Sequence, residues 1–170
     1  MKNMKAILKL LRPHQWAKNS FVFLPLFFNG KFTNLEFLFI TIIVFFVFSF
    51  AASGIYCFND ILDAEKDKLH PIKRHRPIAS GNIGKCSAFF IMLICFIISL
   101  LTIYFFSSYI KTHVYNLYWV IAIYILMNIF YCIKLKKMII VDVFVIAIGF
   151  VLRIFAGGLA TGILLSHWLV

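Results

Sequence analysis

Residues 35 to 58 form an apolar run with no charge after Glu36, and no other feature restricts the fold as much. At 1.5 Å per residue a helix of that length crosses a hydrocarbon layer of about 30 Å. Further apolar runs follow at 86 to 106, 114 to 133 and 139 to 165. A shorter one, Pro13 to Gly30, is interrupted by Lys18 and Asn19 and carries Trp16 and Pro25. Ahead of it, residues 2 to 12 mix Ile7, Leu8, Leu10 and Leu11 with Lys2, Lys5, Lys9 and Arg12, the pattern of a basic interfacial helix. The expected fold class is therefore all-α: a polytopic transmembrane bundle of about five spans with an N-terminal interfacial helix, forming a single domain over residues 1–170. A composition of 63% apolar and 14% charged residues, with a mean hydropathy of +0.96, agrees with this reading.

The basic residues test the span count. With the N-terminus cytoplasmic, one side of the membrane receives three groups: Lys2, Lys5, Lys9, Arg12 and Lys18; Lys66, Lys68, Lys73, Arg74, Arg76 and Lys85; and Lys134, Lys136 and Lys137. Only Lys31 and Lys111 fall on the other side, and Arg153 lies within a span. This is the asymmetry expected of cytoplasmic loops, and it predicts a multi-pass protein of the cell (inner) membrane. Omitting the first span would separate the N-terminal cluster from the other two. The same interleaving explains the net charge of +11 without nucleic acid as a partner. Cys57, Cys86, Cys95 and Cys132 are scattered with no paired spacing, and the five histidines lack metal spacing, so neither a disulfide framework nor zinc is expected. No Ser/His/Asp or Cys/His arrangement points to hydrolysis.

Four of the six acidic residues lie between Asn59 and Asp67. On a helix Asp60, Asp63 and Asp67 fall within about 60° of arc, while Glu65 points away. Like charges at that spacing cost a few tenths of a kcal/mol per pair unless a cation sits between them. Oxygen-only donors suit a hard ion, Mg²⁺ or Ca²⁺. Ser49, Ala52, Ser53 and Tyr56 continue the same helical face, and small or polar residues in a membrane helix face other helices or a cavity. The acids are thus expected to line a cavity rather than a solvated helix end.

The next loop holds Lys73, Arg74 and Arg76 between Pro71 and Pro77, basic groups suited to neutralising a departing diphosphate. In the fifth span Asp142 and Arg153 share a face about 16 Å apart, too far to pair, so each needs its own partner or a wet cavity. Arg12, Gln15 and Asn19 share a face of the first span, with Lys18 beside it.

Asn59-Asp60-x-x-Asp63-x-x-x-Asp67 after an apolar span, followed by an Arg-Pro loop, resembles the first aspartate motif of the UbiA superfamily of intramembrane prenyltransferases. Arg12-Pro13-His14-Gln15-Trp16-Ala17-Lys18-Asn19, the loop from His70 to Gly81, and the stretch from Tyr131 to Gly158 with Asp142 and Arg153 are similar to the decaprenyl-phosphate phosphoribosyltransferase branch. The resemblance covers essentially the whole chain. It implies transfer of 5-phosphoribose from phosphoribosyl diphosphate to a polyprenyl phosphate in the membrane. Asn59, Asp60, Asp63 and Asp67 would hold Mg²⁺ on the diphosphate, the three aspartates as the catalytic set. Lys18, Asn19, Asn59, Lys73, Arg74, Arg76, Tyr131, Asp142 and Arg153 are the expected substrate-binding residues. The alternatives are a family member that moves a prenyl group from a prenyl diphosphate to an aromatic acceptor, and a non-catalytic protein whose basic loops bind anionic membrane lipid.

The resemblance also implies nine spans and a second acidic motif after the sixth, whereas this sequence stops at Val170, after the fifth expected span. The 170-residue polypeptide by itself is therefore expected to show no measurable transfer. Purifying it in detergent and assaying turnover with labelled donor checks this, and any sustained turnover contradicts it.

Overall fold

The computed structural model describes residues 2–110 and 114–165. It is helical throughout, with α1 at Lys2–Leu11, a 3₁₀ helix at Pro13–Phe23, α2 at Leu24–Phe28, α3 at Leu35–Leu69, α4 at Lys85–Phe105, α5 at Val114–Ile133 and α6 at Ile139–Thr161. The last four are long and apolar enough to cross a membrane. The protein is a membrane-embedded, multi-pass helical bundle. Lys111, His113, His167 and the end of the chain lie outside the described residues.

The central element is α3. Its most apolar window is 67% buried, against 28%, 22% and 33% for α4, α5 and α6, so the other helices are arranged around it. Asn34 starts the helix, its side chain accepting from the backbone N–H groups of Glu36 and Phe37. The helix runs without a break past the apolar residues into the acidic stretch and stops at Leu69, before Pro71. Acids and core-facing residues therefore share one rigid rod. Val44, Val47, Phe48 and Ala51 are fully buried in the main core with Ile103, Leu117 and Ile121. A second cluster joins Leu10 of α1 to Cys57, Ala64, Ile78 and Ala88. On the outside, Phe90, Ile94, Trp119, Phe130 and Phe144 are exposed, as lipid-facing side chains are.

The first expected span takes an unexpected form. Instead of one α-helix over Pro13–Gly30, the chain forms 11 residues of 3₁₀ helix and five of α-helix. Arg12 has φ 52°, the only positive φ on a non-glycine residue among those described, and it turns the chain between α1 and this segment. The 3₁₀ rise of about 2.0 Å per residue lengthens the segment, so Pro13–Phe28 has a contour of about 30 Å. Its narrow cross-section lets the backbone run against α6. A Cβ placed on Gly157 would meet the Val22 carbonyl oxygen at only 2.1 Å, so glycine is required for this approach.

Gly157→Ala is accordingly expected to destabilise the bundle by about 1–3 kcal/mol, the usual cost of overpacking. At Gly54 the clash is with the Phe96 ring, which can turn aside, and Gly54→Ala should cost less. Thermal unfolding of the two variants in detergent compares them directly.

Candidate functional site

The acidic end of α3 is neutralised by cations from three other parts of the chain. Asp60, 1% exposed, accepts from Arg12 Nη2 at 2.6 Å and from Arg76 Nη1 at 3.3 Å, both through Oδ1. The same Arg76 nitrogen donates to Asp67 Oδ2 at 2.7 Å. Asp63 turns the other way, to Lys136 Nζ at 2.5 Å, in the short 3₁₀ turn between α5 and α6. Glu65 stands apart on the exposed face, where Lys85 and Lys68 hold its carboxyl down at about 2.

The expected acidic face therefore exists, but its three carboxylates do not converge on one point. Among the described residues, no three His, Cys, Asp or Glu side chains lie close enough together to share a metal ion. Their chemistry nonetheless fits a hard cation. Each aspartate engages its cation through one oxygen, and Asp60 Oδ2 is buried with no hydrogen-bond partner. Asn59, half-buried, precedes Asp60 on the same helix.

The loop residues divide. Arg76 reaches the acids, whereas Lys73 and Arg74 are exposed on a 3₁₀ turn, Lys73–His75. Residues two apart on such a turn point in different directions, so the Arg-Pro sequence could not tell which arginine would reach the site. Arg12 was not among the expected site residues, although it opens the Arg-Pro-x-Gln-Trp stretch. Its guanidinium also lies 5.0 Å from the centre of the Tyr56 ring. Lys136 was counted only as a topology signal.

A second site lies deeper, between the 3₁₀ segment, α3, α5 and α6. Arg153, 8% exposed, donates from Nε to Asn19 Oδ1 at 2.8 Å, from Nη1 to the Gly149 carbonyl and from Nη2 to the Tyr124 hydroxyl at 2.9 Å. It also lies within 5.0–5.7 Å of the ring centres of Tyr124, Phe150 and Phe48. Asn19 is held in turn by donating to Ser49 Oγ at 3.0 Å, while Ser53 accepts from Trp16 and donates to the Leu11 carbonyl. The stripe on α3 thus faces other parts of the bundle, as expected from its small polar residues. A cavity of about 160 Å³ opens beside Arg153, lined also by Lys18, Tyr56, Tyr124, Asn128 and Tyr131. No lining residue is acidic. Asp142 is adjacent, accepting from the Tyr131 hydroxyl at 2.6 Å. Tyr124 gave no signal in the sequence, because an aromatic residue in an apolar run is ordinary core.

The structure thus brings Lys18, Tyr131 and Arg153 around one cavity, with Asn19 bonded to Arg153, and Asp60, Asp67 and Arg76 into one ion cluster. In the second, Asp60 and Asp67 are matched by Arg12 and Arg76, while the lining of the first holds cations and neutral residues only.

Known proteins with similar sequences bear on this arrangement. Residues 20–170 match the UbiA prenyltransferase family. The chain is 39% identical over 166 residues to decaprenyl-phosphate phosphoribosyltransferase of Corynebacterium glutamicum, covering 95% of this chain and 48% of that protein. It is 36% identical to the Mycobacterium tuberculosis protein of the same name, covering 95% and 53%. The chain spans about half the length of these curated relatives. A solved structure described as digeranylgeranylglyceryl phosphate synthase superposes with a TM-score of 0.76 at 24% identity, covering 94% of this chain and 54% of that one, a likeness of fold.

Arg12 and Arg76 share one carboxylate, so their contributions to stability are expected to be non-additive. Arg12→Gln and Arg76→Gln, singly and together, form a double-mutant cycle read by denaturation. A coupling energy of about 0.5–3 kcal/mol is expected, whereas simple additivity would mean that the cluster does not form.

Proposed function

The chain belongs to the UbiA prenyltransferase family, and we propose that within it this sequence is the N-terminal part of a Mg²⁺-dependent enzyme that moves 5-phosphoribose from phosphoribosyl diphosphate to a polyprenyl phosphate. The observation that carries the reading is the pair of unlike cationic sites along α3. One contains carboxylates and suits a metal-bound diphosphate; the other, at membrane depth, contains Lys18 and Arg153 with no acid lining and suits a phosphate attached to a lipid. The 36–39% identity to two decaprenyl-phosphate phosphoribosyltransferases supports the same choice.

In this reading Asp60, Asp63 and Asp67, with Asn59, would hold Mg²⁺ in the cytoplasmic half of the site. When bound there, the ion would neutralise diphosphate oxygens and ease departure of that group. Arg76 and Arg12 steady Asp60 and Asp67 and have further N–H groups to donate to phosphate oxygens. Lys18 and Arg153 orient the lipid phosphate. An oxygen of that phosphate supplies the electron pair for the new bond to C1 of the ribose, and the C1–oxygen bond to diphosphate breaks with its electrons leaving on diphosphate. The acceptor is already anionic, so no protein nucleophile or general base is required. The work of the chain is positioning and charge stabilisation.

In membranes carrying the whole protein, labelled phosphoribosyl diphosphate is expected to label a polyprenyl phosphate, and labelled prenyl diphosphate is expected to give no aromatic product. Asp60→Asn and Asp63→Asn should each lower turnover by about 100-fold or more, on the scale of losing a charge-stabilising group. Wild-type turnover with unchanged Mg²⁺ affinity in both variants would sink the enzyme reading, and transfer of the prenyl label to an aromatic acceptor would replace it with prenyl transfer.

A further inference from the structure

We infer that the cavity between α1 and the acidic end of α3 binds a phosphate monoester, the 5-phosphate at the far end of the sugar donor, and so separates phosphoribosyl from prenyl diphosphates. The inference rests on the phosphoribosyl reading above and adds a site to it.

This cavity, of about 200 Å³, is lined by Lys9, Arg12, His14, Asp60, Arg76 and Pro77. It is distinct from the Lys18–Arg153 cavity, with which it shares no lining residue. Three permanent cations face one carboxylate. Arg12 and Arg76 are matched by Asp60 and by Asp67, which pairs with Arg76 from outside the lining, so Lys9 leaves an excess of about one positive charge to attract a phosphate monoester, which carries −1.5 to −2 near neutral pH. The cations have donors to spare. Arg12 and Arg76 each use one terminal nitrogen on the acids, leaving the rest of each guanidinium fork for bidentate contact. Lys9 donates to the His75 carbonyl at 2.7 Å, which fixes its ammonium at the cavity and leaves two of its three protons. A phosphorylated sugar carries such a phosphate at the end remote from its diphosphate, and a prenyl chain does not.

Position supports the same assignment. Asp63 and Asp67 do not line the cavity, but Asp60 and Arg76 belong both to it and to the ion cluster. A group bound here therefore sits next to the diphosphate site, as the second phosphorylated end of one donor must. Lys9 lies on the solvent-exposed side of α1, where its replacement does not threaten folding.

The test uses the chain in phosphatidylcholine nanodiscs with Mg²⁺, measuring calorimetric binding of ribose 5-phosphate, phosphoribosyl diphosphate and geranyl diphosphate. Lys9→Gln is expected to weaken the first two roughly tenfold, the scale of one charge-assisted hydrogen bond, and the third less than twofold. Lys9→Glu should weaken the first two further, and Lys9→Arg should retain them. Lys5→Gln removes the same charge one helical turn away and is expected to change none. Equal weakening of all three ligands by Lys9→Gln, or no change in any, overturns the site. A phospholipid headgroup has the same chemistry, so the measurement is repeated with phosphatidylglycerol in the nanodisc. Persistent ribose 5-phosphate binding supports the donor as occupant, and its abolition assigns the cavity to lipid instead and overturns the inference. Failure of the wild-type chain to bind phosphoribosyl diphosphate while it binds geranyl diphosphate is a different result. It would remove the phosphoribosyl reading itself, and this site with it.

Discussion

The carboxylate of Asp60 is taken out of water at the end of a membrane helix, and much of the surrounding chain is shaped by what that requires. Burying an ionised carboxylate without a partner costs several kcal/mol, whereas hydrogen-bonded cations offset most of that cost. Here the cations come from residues 48 positions before and 16 after it in sequence. Arg12 needs a left-handed backbone at the end of α1, and Arg76 needs the Pro-bounded loop to fold back over α3. One buried charge thereby ties the interfacial helix and the polar loop to the central helix. Leu10, Cys57, Ala64 and Ile78 pack beneath the same junction, so apolar and ionic contacts hold the same arrangement.

Arg153 poses the converse problem. It is a buried cation whose described hydrogen-bond partners, Asn19, Tyr124 and the Gly149 carbonyl, are all neutral, supplemented by aromatic faces. Such partners satisfy its donors without cancelling its charge. An anion entering the adjoining cavity meets a fixed positive field with no ion pair to break first, which is the preorganisation that favours binding and charge development. The two sites therefore differ in kind. In the acid-bearing site carboxylates offset most of the cationic charge inside the protein, while the acid-free one keeps cations with neutral partners only. Tyr56 adjoins both, with its ring beneath Arg12 and its side chain in the wall of the Lys18–Arg153 cavity.

The apolar pattern made the long helices legible, because hydrocarbon thickness and backbone hydrogen bonding leave a chain few alternatives. It did not reveal the 3₁₀ form of Pro13–Phe23, which depends on packing against α6 at Gly157. The spacing of Asp60, Asp63 and Asp67 likewise announced a polar face, since helical geometry alone fixes where those side chains emerge. It did not say that Asp63 would pair with Lys136, which is 73 residues away.

By itself the sequence determined the helical membrane class, the long spans and the acidic stripe, all consequences of local periodicity and of the solvent around the chain. Tertiary structure decided which cation meets which acid: Arg12 and Arg76 rather than Lys73 or Arg74 at the Asp60 cluster, and Asn19 and Tyr124 at Arg153. The physical reason is range. A helix fixes the direction of a side chain within a few residues, but a buried charge selects its partner from whatever distant donors the packed bundle brings within about 3 Å.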